Sequence, residues 1–151
     1  DLHELLQDVF DSVDHKARGR GIQIEIKAGC EPPFGVRADR KKIRQVLVNL
    51  LSNSIHYGND QGLTQVGVFD MGHQFLIEIS DNGMGIEPEH LPRLFERFYR
   101  VDKGRSRSEG GTGLGLAIVK HMLEVHGQTI HVRSSAGMGS TFGFTLNKAQ
   151  T

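Results

Sequence analysis

The spacing of apolar residues switches repeatedly between helical and strand-like periods along this chain. Recurrence at three and four residues predicts amphipathic helices over 2–17, 40–57 and 114–126, and a short helix over 87–99. Asp39 is the predicted N-cap of the second helix, and Gly58 should end it. Alternation of apolar and polar residues predicts strands near 22–26, 64–70, 74–80, 128–134 and 141–146. Because the late strands follow one another closely, we expect an α+β fold. It would be a two-layer α/β sandwich, with about three helices on one face of a mixed, mostly antiparallel five-stranded sheet.

Composition excludes several classes of protein. The 151 residues suit one domain, and 18 basic residues balance 18 acidic ones, which argues against a nucleic-acid binder. A single cysteine, Cys30, excludes an internal disulfide, and no apolar run approaches the ~18 residues that span a membrane. The chain starts without Met and within a helical pattern, so we expect residues 1–151 to be one domain of a longer protein.

Two asparagines lie beside the apolar stripe of the second predicted helix. Asn49 and Asn53 are four residues apart and therefore share one face. Asparagine is a poor helix former, so capping or solvent exposure is one explanation. The other is coordination, because amide oxygens are hard ligands suited to Mg²⁺ shared with phosphate oxygens.

A carboxylate ends the second of the two middle strands. Asp81 has the same parity as Phe75, Ile77 and Ile79, so it should point towards the core. A buried carboxylate needs a donor, and the exocyclic amino group of a purine would serve. The glycines that follow would leave space for such a ring. An ordinary Asp-Asn-Gly turn is the alternative.

Glycine is concentrated in the middle of the chain, with seven of the 19 between Gly83 and Gly115. The last of them open the third predicted helix, whose free N–H groups could bind an anion. The segment is not a P-loop, since no Lys-Ser/Thr follows the last glycine. Basic residues precede it and would either clamp a polyphosphate or line a solvated loop. These residues are Arg97, Arg100, Lys103, Arg105 and Arg107.

In this order, the segments resemble the motif boxes of sensor histidine kinases. NLLSNSIHY at 49–57 is similar to the N box, DNGMG at 81–85 to the G1 box, and FERFYR at 95–100 to the F box. GTGLGL at 111–116 is similar to the G2 box and GSTF at 139–142 to the last, weaker box. The resemblance covers nearly the whole chain and implies the Bergerat ATP-binding fold.

The resemblance also implies roles for residues. Asp81 would bind the adenine amino group, Asn53 would be the main Mg²⁺ ligand, and Asn49 and Arg100 would act on the transferring phosphoryl group. An ATP lid would cover about 87–111. The full set of implied contacts to ATP is Asn49, Asn53, His56, Tyr57, Asp81, Gly83, Gly85, Ile86, Tyr99, Arg100, Lys103, Gly111, Thr112, Gly113, Leu114, Gly115, Leu116 and Thr141.

Three residues of these boxes depart from the family pattern or conflict with the alternation of a strand. Ser54 and His56 stand where the family usually has Ala and Lys, so a phosphate contact of His56 would be weaker and pH-dependent. Thr141 would lie near the adenine by resemblance. The alternation of Phe142 and Phe144 nevertheless turns Thr141 to the opposite face unless a bulge intervenes.

The implied function is transfer of the γ-phosphoryl group of Mg-ATP to a histidine on a separate dimerisation domain. None of the eight histidines carries the phosphoacceptor motif; only His3 begins like it. We therefore expect a catalytic domain that is nearly inactive in autophosphorylation by itself.

Partners would be its own dimerisation and phosphoacceptor domain and a response regulator, with no nucleic acid. The isolated domain would be a monomer, and the full-length protein a homodimeric, membrane-anchored bacterial sensor with this domain in the cytoplasm. The alternatives are an anti-sigma-type serine kinase, an ATPase on the same fold, or a non-catalytic nucleotide-sensing module.

Overall fold

A computed structural model describes residues 1–97 and 115–149 of the chain. Its sheet has five strands in the order β1-β2-β3-β5-β4. β1 and β2 are parallel, whereas the other neighbouring pairs are antiparallel. The strands are β1 (Gln23–Ile26), β2 (Leu63–Asp70), β3 (Gln74–Asp81), β4 (His131–Ser135) and β5 (Gly139–Asn147). The predicted mixed, mostly antiparallel sheet is confirmed.

Three α-helices within the described residues cover one face of the sheet. They are α1 (Leu2–Gly19), α2 (Arg40–Tyr57) and α3 (Gly115–Val125). Their apolar stripes meet the inward side chains of β3 and β5 in one core. Fully buried members include Leu47 of α2, Ile77 of β3 and Phe144 of β5. This arrangement confirms the two-layer sandwich. No helix among the described residues combines the length and the apolar character needed to cross a membrane.

The ends of α2 matter most for the site. Asp39 is its N-cap as predicted, and its side chain accepts a hydrogen bond from the N–H of Lys42 at 3.1 Å. Gly58 ends the helix as predicted, and its φ of −73° is extended and not left-handed. A Cβ on Gly58 would lie 2.8 Å from the carbonyl oxygen of Ser54, which explains the glycine.

Two predicted elements differ from the structure. In place of the helix expected over 87–99, the described residues form a short 3-10 helix, Pro88–Arg93, because Pro92 lacks the N–H that a longer α-helix would need at that position. The strand expected from residue 128 starts at His131. The preceding residues complete the end of α3 instead: the N–H of Gln128 donates to Leu123 O at 2.8 Å.

Candidate functional site

The Asp81 carboxylate lies at the end of β3, on the side of the sheet that the helices cover. It follows buried Phe75, Ile77 and Ile79 with the parity predicted from the sequence. Its Oδ1 accepts the N–H of Gly83 at 2.9 Å. Burial raises the pKa of the Asp81 carboxyl, and hydrogen bonds from Gly83, Ser140 and Ser54 counteract that rise. The group is thus a half-buried acceptor at the end of the central strand.

Three small hydroxyl residues surround this carboxylate, and sequence reasoning did not assign them to the site. Ser54 Oγ lies 2.9 Å from Thr64 Oγ1 and donates to Asp81 Oδ2 at 3.4 Å. Thr64 pairs directly with Asp81 in the β2–β3 register, and Ser140 pairs with it in the β3–β5 register. All three side chains are buried. Ser54 therefore has a clear structural role at the position where it departs from the family pattern.

The helical and strand periods of the sequence identify two of these residues as inward-facing. Ser54 continues the three-and-four spacing of the buried stripe of α2 after Leu47, Leu50 and Leu51. Ser140 alternates with Phe142 on the inward face of β5. Both signals can be read from the sequence alone.

Thr141 lies on the other face of the sheet. Its Oγ1 is 2.9 Å from Ser80 Oγ, and both side chains point away from the helices. No bulge reverses the alternation in β5, so the inward position across from Asp81 belongs to Ser140. The structure thus follows the parity of the strand: Ser140, not Thr141, lies on the face of the sheet that carries the Asp81 carboxylate, and a contact of Thr141 with adenine stays a prediction.

The glycines after Asp81 serve the packing of the protein itself. A Cβ on Gly83 would meet the Tyr57 carbonyl oxygen, and a Cβ on Gly85 would meet the Ser135 carbonyl oxygen. Gly85 also has a φ of +72°. These glycines let backbone pack against backbone, and the expectation that they also leave space for a nucleobase stays a prediction. Ile86 is held nearby by a 2.8 Å hydrogen bond from its N–H to Ser134 Oγ.

The two predicted asparagines share one face of α2, as expected. Asn49 Nδ2 donates to the carbonyl oxygen of Gly115 at 3.2 Å, and its Oδ1 accepts from Gln45 Nε2 at 2.9 Å. Asn49 thereby joins α2 to the first residue of α3. Asn53 is half-buried one turn later, between Asn49 and the C-terminal end of the helix. Their carboxamides suit a magnesium ion that keeps most of its ligands from water and phosphate.

The end of α2 completes the described part of the site. His56 and Tyr57 are half-buried, with ring centroids 4.6 Å apart in an edge-to-face arrangement. Leu116 is half-buried at the start of α3 and packs against the core. The other predicted contacts lie outside the described residues: Tyr99, Arg100, Lys103, Gly111, Thr112, Gly113 and Leu114, together with the lid beyond residue 97.

Residues 38–150 match the family described as histidine kinase-, DNA gyrase B- and HSP90-like ATPases. The chain belongs to this family. The family match, its relatives and its structural neighbours make it an ATP-binding domain of the sensor histidine kinase type, as the motif boxes predicted.

Two curated relatives are histidine kinases. The chain is 42% identical to the sensor-like histidine kinase SenX3 of Mycobacterium tuberculosis over 87% of its length, and 37% identical to the circadian input-output histidine kinase CikA of Synechococcus elongatus over 93%. The aligned part is only 32% of SenX3 and 19% of CikA. The chain thus spans between a fifth and a third of these relatives.

Solved structures share the fold across the whole chain. The nucleotide-free catalytic domain of histidine kinase ThkA has a TM-score of 0.83 at 28% identity, covering 98% of this chain and 93% of that one. Full-length ShkA in complex with AMPPNP has a TM-score of 0.85 at 27% identity, covering 100% of this chain and 31% of ShkA. ThkA in complex with the response regulator TrrA has a TM-score of 0.78 at 26% identity, covering 99% and 41%.

Proposed function

We propose that this domain binds Mg-ATP and donates the γ-phosphoryl group to a histidine on a separate dimerisation domain. A bond would form between the γ-phosphorus and an imidazole nitrogen, the bond to the β,γ-bridging oxygen would break, and ADP would leave. The observation that carries the proposal is the half-buried Asp81 carboxylate, which ends a strand beside α2 and its two asparagines.

Each group has a task that its chemistry suits. The Asp81 carboxylate can accept a hydrogen bond from the exocyclic amino group of adenine, a donor that guanine does not offer at that ring position. Asn53, with Asn49 beside it, would hold a magnesium ion together with phosphate oxygens, and such an ion neutralises charge that develops during phosphoryl transfer. Arg100 would stabilise the transferring group, and the glycines at 111–115 would meet the phosphates through their N–H groups.

The proposed partners follow from the family. The AMPPNP complex of ShkA supports nucleotide binding, and the ThkA complex with TrrA supports a response regulator as the downstream partner. We propose that the full-length protein is a homodimeric, membrane-anchored sensor in which this domain is cytoplasmic. By itself the domain would transfer phosphate poorly, because holding the two reactants together supplies much of the catalysis.

The test supplies the chain with radiolabelled ATP, Mg²⁺ and a dimerisation and phosphoacceptor domain from a related kinase. Acid-labile, alkali-stable label on the acceptor histidine is the expected result. Acid-stable label on serine would indicate a serine kinase instead. ATP binding without transfer to any acceptor tried would indicate a nucleotide-sensing module.

A further inference from the structure

Arg20, which directly follows α1, connects that helix to the C-terminal end of α2. Its Nη1 donates to the carbonyl oxygens of Ile55 at 2.6 Å and His56 at 2.8 Å. Its Nη2 donates to the carbonyl oxygen of Gly58 at 2.7 Å, and its Nε donates to Asp60 Oδ1 at 2.8 Å. One guanidinium group therefore binds three backbone carbonyls and one carboxylate.

These carbonyls need partners from elsewhere in the fold. The last C=O groups of an α-helix have no intrahelical donor, and a left-handed glycine usually helps to satisfy them. Gly58 has an extended backbone, so it supplies no such cap. Arg20 serves instead, because its planar fork of N–H donors can reach several acceptors at once.

A short chain of hydrogen bonds leads from this cap to the segment after β3. The N–H of Met84 donates to the carbonyl oxygen of Tyr57 at 3.2 Å. Asn59 Nδ2 donates to the carbonyl oxygen of Asn82 at 2.8 Å, and the N–H of Leu63 donates to Asn82 Oδ1 at 3.0 Å. The end of α2 and the loop behind it thus hold both residues that flank Gly83.

We propose that Arg20 is a positioning residue for the nucleotide site. It fixes the last turn of α2, which carries His56 and Tyr57, at a defined place against the segment that begins with Asp81. Within residues 1–97 and 115–149, the Arg20 side chain donates to the backbone of α2 and the following loop and to Asp60, and to no side chain predicted to bind ATP. The inference rests on the proposed function, since it assumes that these elements bind ATP.

The chain offers a matched control for testing this role. Arg44 also joins α1 to α2, because its Nε donates to Asp8 Oδ2 at 2.9 Å and its Nη2 to Ser12 Oγ at 2.6 Å. It lies 12 residues before His56 on α2, which is about 18 Å along the helix. Removing either guanidinium weakens the same helix pair, but only Arg20 touches the end near the site.

Arg20→Met and Arg44→Met are compared by calorimetric titration with an ATP analogue and Mg²⁺, at a temperature where circular dichroism shows both variants folded. We expect Arg20→Met to bind about tenfold more weakly, as is typical when a residue that orients ligands is removed. Arg44→Met should keep the wild-type affinity. Equal losses in the two variants, or no loss in Arg20→Met, would overturn the proposal.

Two further measurements separate position from charge and from the proposed function. Arg20→Lys keeps the positive charge but lacks the planar fork, so its affinity should stay low; full recovery with lysine would refute positioning by the fork. Amide resonances of Gly83 and Met84, recorded without nucleotide, should shift in Arg20→Met but not in Arg44→Met. If the wild type binds no ATP but the resonances shift in Arg20→Met, the proposed function is overturned and the positioning by Arg20 stands. If the resonances do not shift in Arg20→Met, the role of Arg20 is overturned.

Discussion

Replacing Asp81 with asparagine tests the adenine contact, because both carboxylate oxygens already have protein donors. Oδ1 accepts from the N–H of Gly83 at 2.9 Å, and Oδ2 accepts from Ser54 Oγ at 3.4 Å. Asparagine replaces one carboxylate oxygen with an NH2 group, which donates and cannot accept. In either side-chain orientation, this group faces another donor, which is either one of the protein groups above or the amino group of the ligand. A hydrogen bond to a charged group contributes about 1.5–3 kcal/mol, so the affinity for ATP should fall by about 10- to 150-fold.

The assay is calorimetric titration with Mg-ATP, and Glu78→Gln is the matched control. Glu78 lies on the same strand but on the opposite face, where Arg133 Nη1 donates to its Oε2 at 2.8 Å. This variant should bind ATP like the wild type. An Asp81→Asn protein with unchanged affinity and a native circular dichroism spectrum would refute the adenine assignment.

The raised pKa of Asp81 also predicts how the stability of the nucleotide-free protein depends on pH. Burial disfavours the ionised carboxylate, so this group stabilises the nucleotide-free fold below its unfolded pKa, and that contribution is lost as pH rises through the higher folded pKa. Asp81→Asn lacks this titration, so its melting temperature relative to that of the wild type should rise between acid and neutral pH. A large drop in that temperature would mean that the carboxylate has a structural role, contrary to its raised pKa.

Three other substitutions test the site and the helix beside it. Asn53→Ala should remove the Mg²⁺ dependence of ATP binding, measured by titration with and without the ion; a retained dependence would place the metal elsewhere. Gly83→Ala should weaken ATP binding and lower the melting temperature, because its Cβ meets the Tyr57 carbonyl oxygen; wild-type values for both would contradict the described packing. Asp39→Ala should lower the melting temperature at pH 7, because the backbone N–H of Lys42 lowers the pKa of this N-cap and stabilises its ionised form. That difference should shrink as acid protonates Asp39, and a constant difference across pH would argue against the charged cap.

The two-layer fold could be read from local spacing, because each helix or strand buries one face and its period reveals which one. Asp81 illustrates this: its parity with Ile77 and Ile79 placed it towards the helices, and the structure agrees. The same rule placed Thr141 on the outer face of the sheet, and the structure agrees. Errors occurred at the ends of elements: Pro92 restricts the helix expected after residue 87, and Gln128 completes the end of α3 instead of starting a strand.

Contacts between residues far apart in sequence came only from the tertiary structure. Ser140 reaches Asp81 because β5 pairs with β3 in one register, and Arg20 reaches Ile55 because α1 ends beside the last turn of α2. Neither partner follows from a local period, since side-chain periodicity specifies a buried face but not which residue will lie opposite it. The packing role of Gly83 was likewise not visible in the sequence: its missing Cβ allows the backbone at the end of α2 to approach, a contact set by how the sheet and the helices pack together.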